Sequence, residues 1–158
     1  MAARVRAKSP RKGFPETESS VIIELQRATH AAGVQLEEVL ADLDLSQGEA
    51  HVIVLLSDGA AHTVSELQRD LGHRPSTLSG ILDRLESRRL IRRALNEADR
   101  RSFLISLTRS GGVAARTVVK EMRAIELSAL AHVSARDIAG FHAVAQALVA
   151  RSDTSRPP

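Results

Sequence analysis

Apolar residues in this chain recur mostly three and four positions apart, the spacing that lines one face of an α-helix. Leu25, Thr29, Ala32, Leu36, Val39 and Leu43 form such a stripe and predict a first helix from about Thr17 to Leu43. Gly33 lies inside it and weakens the helix by about 1 kcal/mol relative to alanine. At "LSQGE" Ser46 is placed to cap a second helix, with Glu49 three residues on reaching back to the cap's own N–H. That helix carries Val52, Ile53, Leu55 and Leu56 and breaks at "DGAAH". "TVSELQRDLG" repeats the device with Thr63, Glu66 and a stop at Gly72; Val64, Leu67 and Leu71 share one face. Pro75 suits the first turn of the next helix, whose Leu78, Ile81, Leu82 and Leu85 make a narrow apolar seam.

After Arg89 the period shortens. "LIRRALN" and "SFLISLT" read as two strands joined by "EADRR", with Phe103, Ile105 and Leu107 alternating against Ser102, Ser106 and Thr108. Leu104 breaks the alternation. A long helix then begins near Thr108, with Ala115, Val118, Met122, Ile125, Ala129 and Val133 in stripe. The last starts at "SARD", where Ser134 and Asp137 form a weaker capping pair, and carries Ile138, Phe141, Ala145 and Leu148. The expected organisation is a disordered basic arm over 1–15, a single domain over 16–151 and a disordered tail over 152–158.

Charge sharpens the picture. The net charge of +3 conceals +5 in Met1–Lys12, −9 in Gly13–His73 and +5 in Arg74–Arg109, where nine arginines face four acids. A basic block inside a folded region attracts a polyanion. The chain has no cysteine, which excludes disulfides, thiolate metal sites and cysteine oxidation. No apolar run approaches the ~20 residues that span a bilayer, and the basic start lacks the apolar stretch of a secretory signal. A cytoplasmic protein with no membrane partner is expected.

Helix, short helix, tight turn, polar-faced helix and hairpin is the order of a winged helix-turn-helix. The fold class expected is mainly α with a small β-wing plus further helices. A helix opening with Ser76, Thr77 and Ser79 fits a major groove roughly 12 Å wide, and its positive dipole end favours phosphate. At the hairpin tip Arg101, beside Arg100, is suited to the negative potential of the minor groove. Asp99 is placed to orient the Arg101 guanidinium.

"EADRRSFLISLTRSG" resembles the wing signature of the MarR (multiple-antibiotic-resistance regulator) family, with Asp99, Arg101, Leu107 and Thr108 in its fixed places. "LSQGEAHVIVLL", "TVSELQRDLG" and "STLSGILDRLESRRLIRR" resemble the family's successive helices in order, and the likeness spans about Thr17 to Arg151. It implies a homodimer built on helices at about 17–43 and 109–151, around a winged helix-turn-helix at about 45–108. It also implies a sequence-specific regulator of transcription on double-stranded DNA. The resemblance implies a repressor, less often an activator, on a pseudo-palindromic operator, released by a small-molecule effector or an oxidant. By position, Ser76, Thr77 and Ser79 contact bases and phosphates, Arg84 the DNA backbone, and Arg101 the minor groove. Arg74, Arg93, Asp99 and Arg100 complete the DNA-facing set. Gly80 replaces a long polar residue of the family, and Arg89 replaces the glycine that usually ends the reading helix.

The other classes draw less support. There is no Gly-rich phosphate loop, nucleophilic cysteine or recognisable catalytic triad, so no enzyme, catalytic residue or cofactor is expected. The six histidines show no ligand spacing, so no metal is expected. His51 lies where the resemblance puts an effector crevice. The competing reading is a winged helix that contacts only protein, which has no need of Arg101 or a basic segment.

Overall fold

A computed structural model describes residues 20–72 and 74–154. The basic arm, the start of the first helix at Thr17, Phe14, His73 and the last four residues lie outside them. The chain divides into two units, with the boundary in sequence between Val34 and Gln35. The first contributes the opening of α1 (Val21–Asp42), which runs unbroken through Gly33. The second holds the end of α1 and everything after it: α2 (Gln47–Leu55), α3 (Val64–Leu71), α4 (Pro75–Ser87), α5 (Arg109–Ala129) and α6 (Ala135–Thr154).

Both capping boxes form. Ser46 accepts from the Glu49 N–H at 3.3 Å while Glu49 accepts from the Ser46 N–H at 2.8 Å. Thr63 and Glu66 do the same at 3.2 and 2.7 Å. Gly72 ends α3 with φ of 65°, the left-handed conformation that glycine adopts without strain. Ser134 accepts from the Asp137 N–H ahead of α6. That helix reaches Thr154, past the expected boundary at residue 151, because no proline or glycine interrupts it there.

The seam of α4 is wholly buried, and with Ile53, Leu56, Leu67, Ile91, Ile105 and Val118 it makes one contiguous core. Each such side chain removed from water contributes about 1.5–3 kcal/mol. Around it the sheet has three strands rather than two. β2 (Ile91–Leu95) and β3 (Phe103–Leu107) pair antiparallel from Ile91↔Leu107 to Leu95↔Phe103. On the other edge of β3, β1 (His62–Thr63) pairs His62 with Ile105 and Thr63 with Leu104. Before β1, α2 tightens into a 3-10 turn at Leu56–Asp58. Two residues are too few to show a strand period, which is why the pattern of the chain alone left β1 invisible.

Two helices end in the same way, each on a residue other than glycine. After α4, Arg89 has φ of 58°, its N–H donates to Glu86 O, and the Leu90 N–H donates to Leu85 O. After α1, Asp44 has φ of 51°, with Asp44 N–H on Ala41 O and Leu45 N–H on Leu40 O. Both are Schellman turns, each closed by a backbone hydrogen bond from one leucine to another. At Arg89 the left-handed backbone costs about 1 kcal/mol.

Candidate nucleic-acid interface

α4 presents its polar face outward. Arg74, Ser76, Thr77 and Ser79 are all exposed at its N-terminal end, and among the described residues no side chain caps that end. Its first N–H groups and dipole therefore point at solvent, the arrangement that receives an anion. The helix is held from behind by α2, where a Cβ on Gly48 would lie only 3.0 Å from Ile81 Cδ1. The bare surface of Gly80 is partly covered by Arg84, whose Nη1 lies 3.6 Å from where a Cβ would be.

The tip between β2 and β3 is tied by short bonds. Asn96 N–H donates to Ser102 O and Ser102 N–H to Asp99 O. Asn96 Oδ1 accepts from the Ala98 N–H at 3.0 Å, and its Nδ2 donates to Ser102 Oγ at 3.0 Å. Asp99 has a different partner from the one its spacing suggests. Its Oδ1 accepts from the backbone N–H of Arg101 at 3.1 Å, so it shapes the turn rather than gripping the guanidinium. A carboxylate reaches an N–H two residues on more readily than the end of a long side chain. Arg100 and Arg101 are exposed, and among the described residues neither has a carboxylate within ion-pair distance.

The base of the wing uses its arginines differently. Arg93 Nη2 donates to Asp83 Oδ1 at 2.5 Å, and its Nε lies 3.2 Å from Glu86 Oε2 without hydrogen-bond geometry. The side chain is only 29% exposed, so this member of the expected DNA set fastens the wing to α4. Arg84 Nε donates to Glu49 Oε1 at 2.9 Å; its own side chain stays 58% exposed while that of Glu49 is buried. Burial pushes the Glu49 carboxyl up, but the Ser46 N–H and hydroxyl and the Arg84 guanidinium outweigh it and hold it below its ordinary 4.5. Arg88 donates to the carbonyls of Leu43 and Asp44, capping the end of α1.

A second clamp joins the turn after α4 to α5. Thr108 N–H donates to Leu90 O at 3.0 Å and Thr108 Oγ1 to Arg89 O at 2.7 Å. Ser110 Oγ donates to Arg89 O at 2.9 Å, and Thr108 Oγ1 accepts from the Gly111 N–H. A Cβ on Gly111 would fall 1.8 Å from Leu90 O, a distance no side chain tolerates. The "LT" of the wing signature is thus a corner bracket, and the glycine three residues after its threonine is the part that spacing alone did not single out.

His51 is exposed on α2 and lines neither of the two clefts described here. One, of about 560 Å³, is open and bordered by Leu40, Asp44, Ser46, Glu49, Arg84 and Arg88. The other, of about 250 Å³, lies among Leu56, Arg92, Ser106, Leu107 and Arg116. His62 pairs with Asp58 at 2.9 Å across the turn into β1. Among the described residues no three His, Asp or Glu side chains converge as a metal site would require, and no helix is long and apolar enough to cross a membrane.

Comparison with known proteins places this arrangement. Residues 45–103 match the model of the MarR family. A Bacillus subtilis (strain 168) protein, the uncharacterized HTH-type transcriptional regulator YfiV, is 32% identical over 90 residues, 54% of this chain; the match spans 56% of the relative's length. The fold resembles that of the S. aureus MepR–DNA complex with a TM-score of 0.72 and 20% identity, over 85% of this chain and 99% of that one. It also resembles NadR in complex with 4-hydroxyphenylacetate, with a TM-score of 0.75 and 20% identity, over 87% and 97% of the two chains. At such identities the structural likeness carries the fold, a winged helix-turn-helix. The matched segment, 45–103, runs from the residue before the Ser46 cap to the start of β3, so the likeness to the MarR family lies on the winged helix-turn-helix itself.

Proposed function

We propose that the protein regulates transcription by binding double-stranded DNA as a homodimer on a pseudo-palindromic site, with α4 in the major groove and the wing tip in the minor groove. The observation that carries this reading is the state of Arg100 and Arg101. They are exposed and unpaired among the described residues, on a turn tied by the N–H groups of Asn96, Ala98, Asp99, Arg101 and Ser102. A tied turn carrying free guanidinium groups stabilises nothing inside the protein, and it leaves little backbone entropy to be lost when they meet phosphate. The uncapped start of α4, with Arg74, Ser76, Thr77 and Ser79, supplies the second contact. The likeness to a fold solved on DNA supports the same docking.

Dimerisation is supported by apolar side chains that a single chain leaves bare, among them Leu127 at 69% exposure on α5 and Phe141 at 55% on α6. Repression relieved by a small molecule is supported by the resemblance to the MarR family and by the fold shared with a neighbour solved with 4-hydroxyphenylacetate. The test is fluorescence anisotropy on a duplex enriched from a random pool by this chain, across a salt series. Affinity falling steeply with salt, at two chains per duplex, is the expected result, because neutralised phosphates release counterions. Failure to enrich any duplex would instead favour a winged helix that contacts only protein.

A further inference from the structure

Leu95 and Phe103 sit directly opposite each other on β2 and β3, the last pair before the tip. Facing residues in a ladder share one side of the sheet, as do residues two apart along a strand. Their side is therefore that of Ile91, Arg93 and Ile105. Ile91 and Ile105 are buried in the core, and Arg93 reaches Asp83 on the flank of α4. The inner face of the wing is thus covered by protein as far as Arg93 and bare beyond it. Leu95 is 52% exposed and Phe103 50%.

A leucine and a phenylalanine held in register in water need a cover that the described residues do not supply. The groups around them say which. Immediately beyond stand the unpaired Arg100 and Arg101, and the flank of α4 lies on the near side, so the uncovered patch is bounded by the two elements proposed to enter adjacent grooves. The wall between a major and a minor groove is a sugar–phosphate strand. Its phosphates suit the arginines; its deoxyribose C–H edges suit an apolar pair.

We infer that Leu95 and Phe103 form an apolar contact on the deoxyribose edge of the DNA strand that passes between α4 and the wing tip. This rests on the DNA-binding reading above and adds to it a contact that carries no charge. Because it displaces no counterion, it contributes to affinity without contributing to the salt dependence.

The experiment uses the full chain, the enriched duplex and the Leu95→Thr/Phe103→Thr double variant, which keeps the strand propensity. The double variant is expected to bind about tenfold more weakly at every salt concentration with an unchanged slope. Arg101→Ala in parallel is expected to lower the slope by about one. Hydroxyl-radical cleavage, which attacks deoxyribose, is expected to show protection beside the wing that the double variant loses. Affinity within twofold of the unaltered chain, or a slope changed as for the arginine variant, would overturn the inference while leaving DNA binding in place. If the unaltered chain enriched no duplex, both would fall. A photo-reactive benzoylphenylalanine at position 103 gives a readout that needs no destabilised variant: crosslinks to DNA support the contact, and crosslinks only to protein refute it.

Discussion

The base and the tip of the wing carry the same residue type to opposite ends. At the base, Arg93 is held against Asp83 and Glu86 and is mostly covered. Close by, Arg84 and Arg88 are also engaged, with Glu49 and with the carbonyls that end α1. At the tip Arg100 and Arg101 have no such partners among the described residues, although Glu97 and Asp99 are near in sequence. The difference is one of geometry. α4 presents carboxylates at a fixed distance from β2, whereas at the tip Asp99 is turned onto the backbone N–H of Arg101 and Glu97 pairs with neither arginine. An arginine's role is thus set by which carboxylates the fold brings within reach, and a count of charges along the chain does not reveal it.

The contrast can be broken most severely at the corner that holds the base. Gly111→Ala drives a methyl group into Leu90 O and is expected to cost roughly 3–5 kcal/mol, read as a lower midpoint in urea unfolding. Arg93→Ala is expected to cost about 1 kcal/mol in the same measurement, since Asp83 and Glu86 are exposed enough to be solvated once their partner is gone. At the tip the sign of the comparison reverses. Arg101→Ala should leave the unfolding midpoint unchanged while weakening duplex binding about tenfold at low salt, about 1.4 kcal/mol. A loss of stability to match would make the tip arginine structural.

Acid probes the Arg84 contact. The Glu49 carboxyl sits below its ordinary 4.5 in the folded protein, so its stabilisation is present above that pH and is lost as pH falls through the lowered folded value. Below pH 4.5 the native chain should therefore lose stability more steeply than Glu49→Gln, which starts about 1 kcal/mol less stable at neutral pH. Equal slopes would mean that Glu49 is not part of the link. The smallest effect is a gain. Arg89→Gly relieves the left-handed backbone at the end of α4 but frees the unfolded chain, for a net stabilisation of about 0.5 kcal/mol in the unfolding midpoint.

Local spacing was enough to place the helices and their caps, because a capping box or an i, i+3, i+4 seam joins residues within one turn of each other. Ser46 with Glu49, Thr63 with Glu66, and the buried face of α4 were legible for that reason. So were the wing and the exposed arginines at its tip. The rest depended on residues brought together from far apart in the chain. β1 exists only because His62 and Thr63 meet β3. Glu49 completes its role with Arg84, 35 positions away. Gly111 is required only because the carbonyl of Leu90 stands where its side chain would be. Short-range hydrogen bonding and periodicity are written into neighbouring residues, whereas pairing partners, close approaches and the covering of a charge are set when the core closes and fixes which distant surfaces touch.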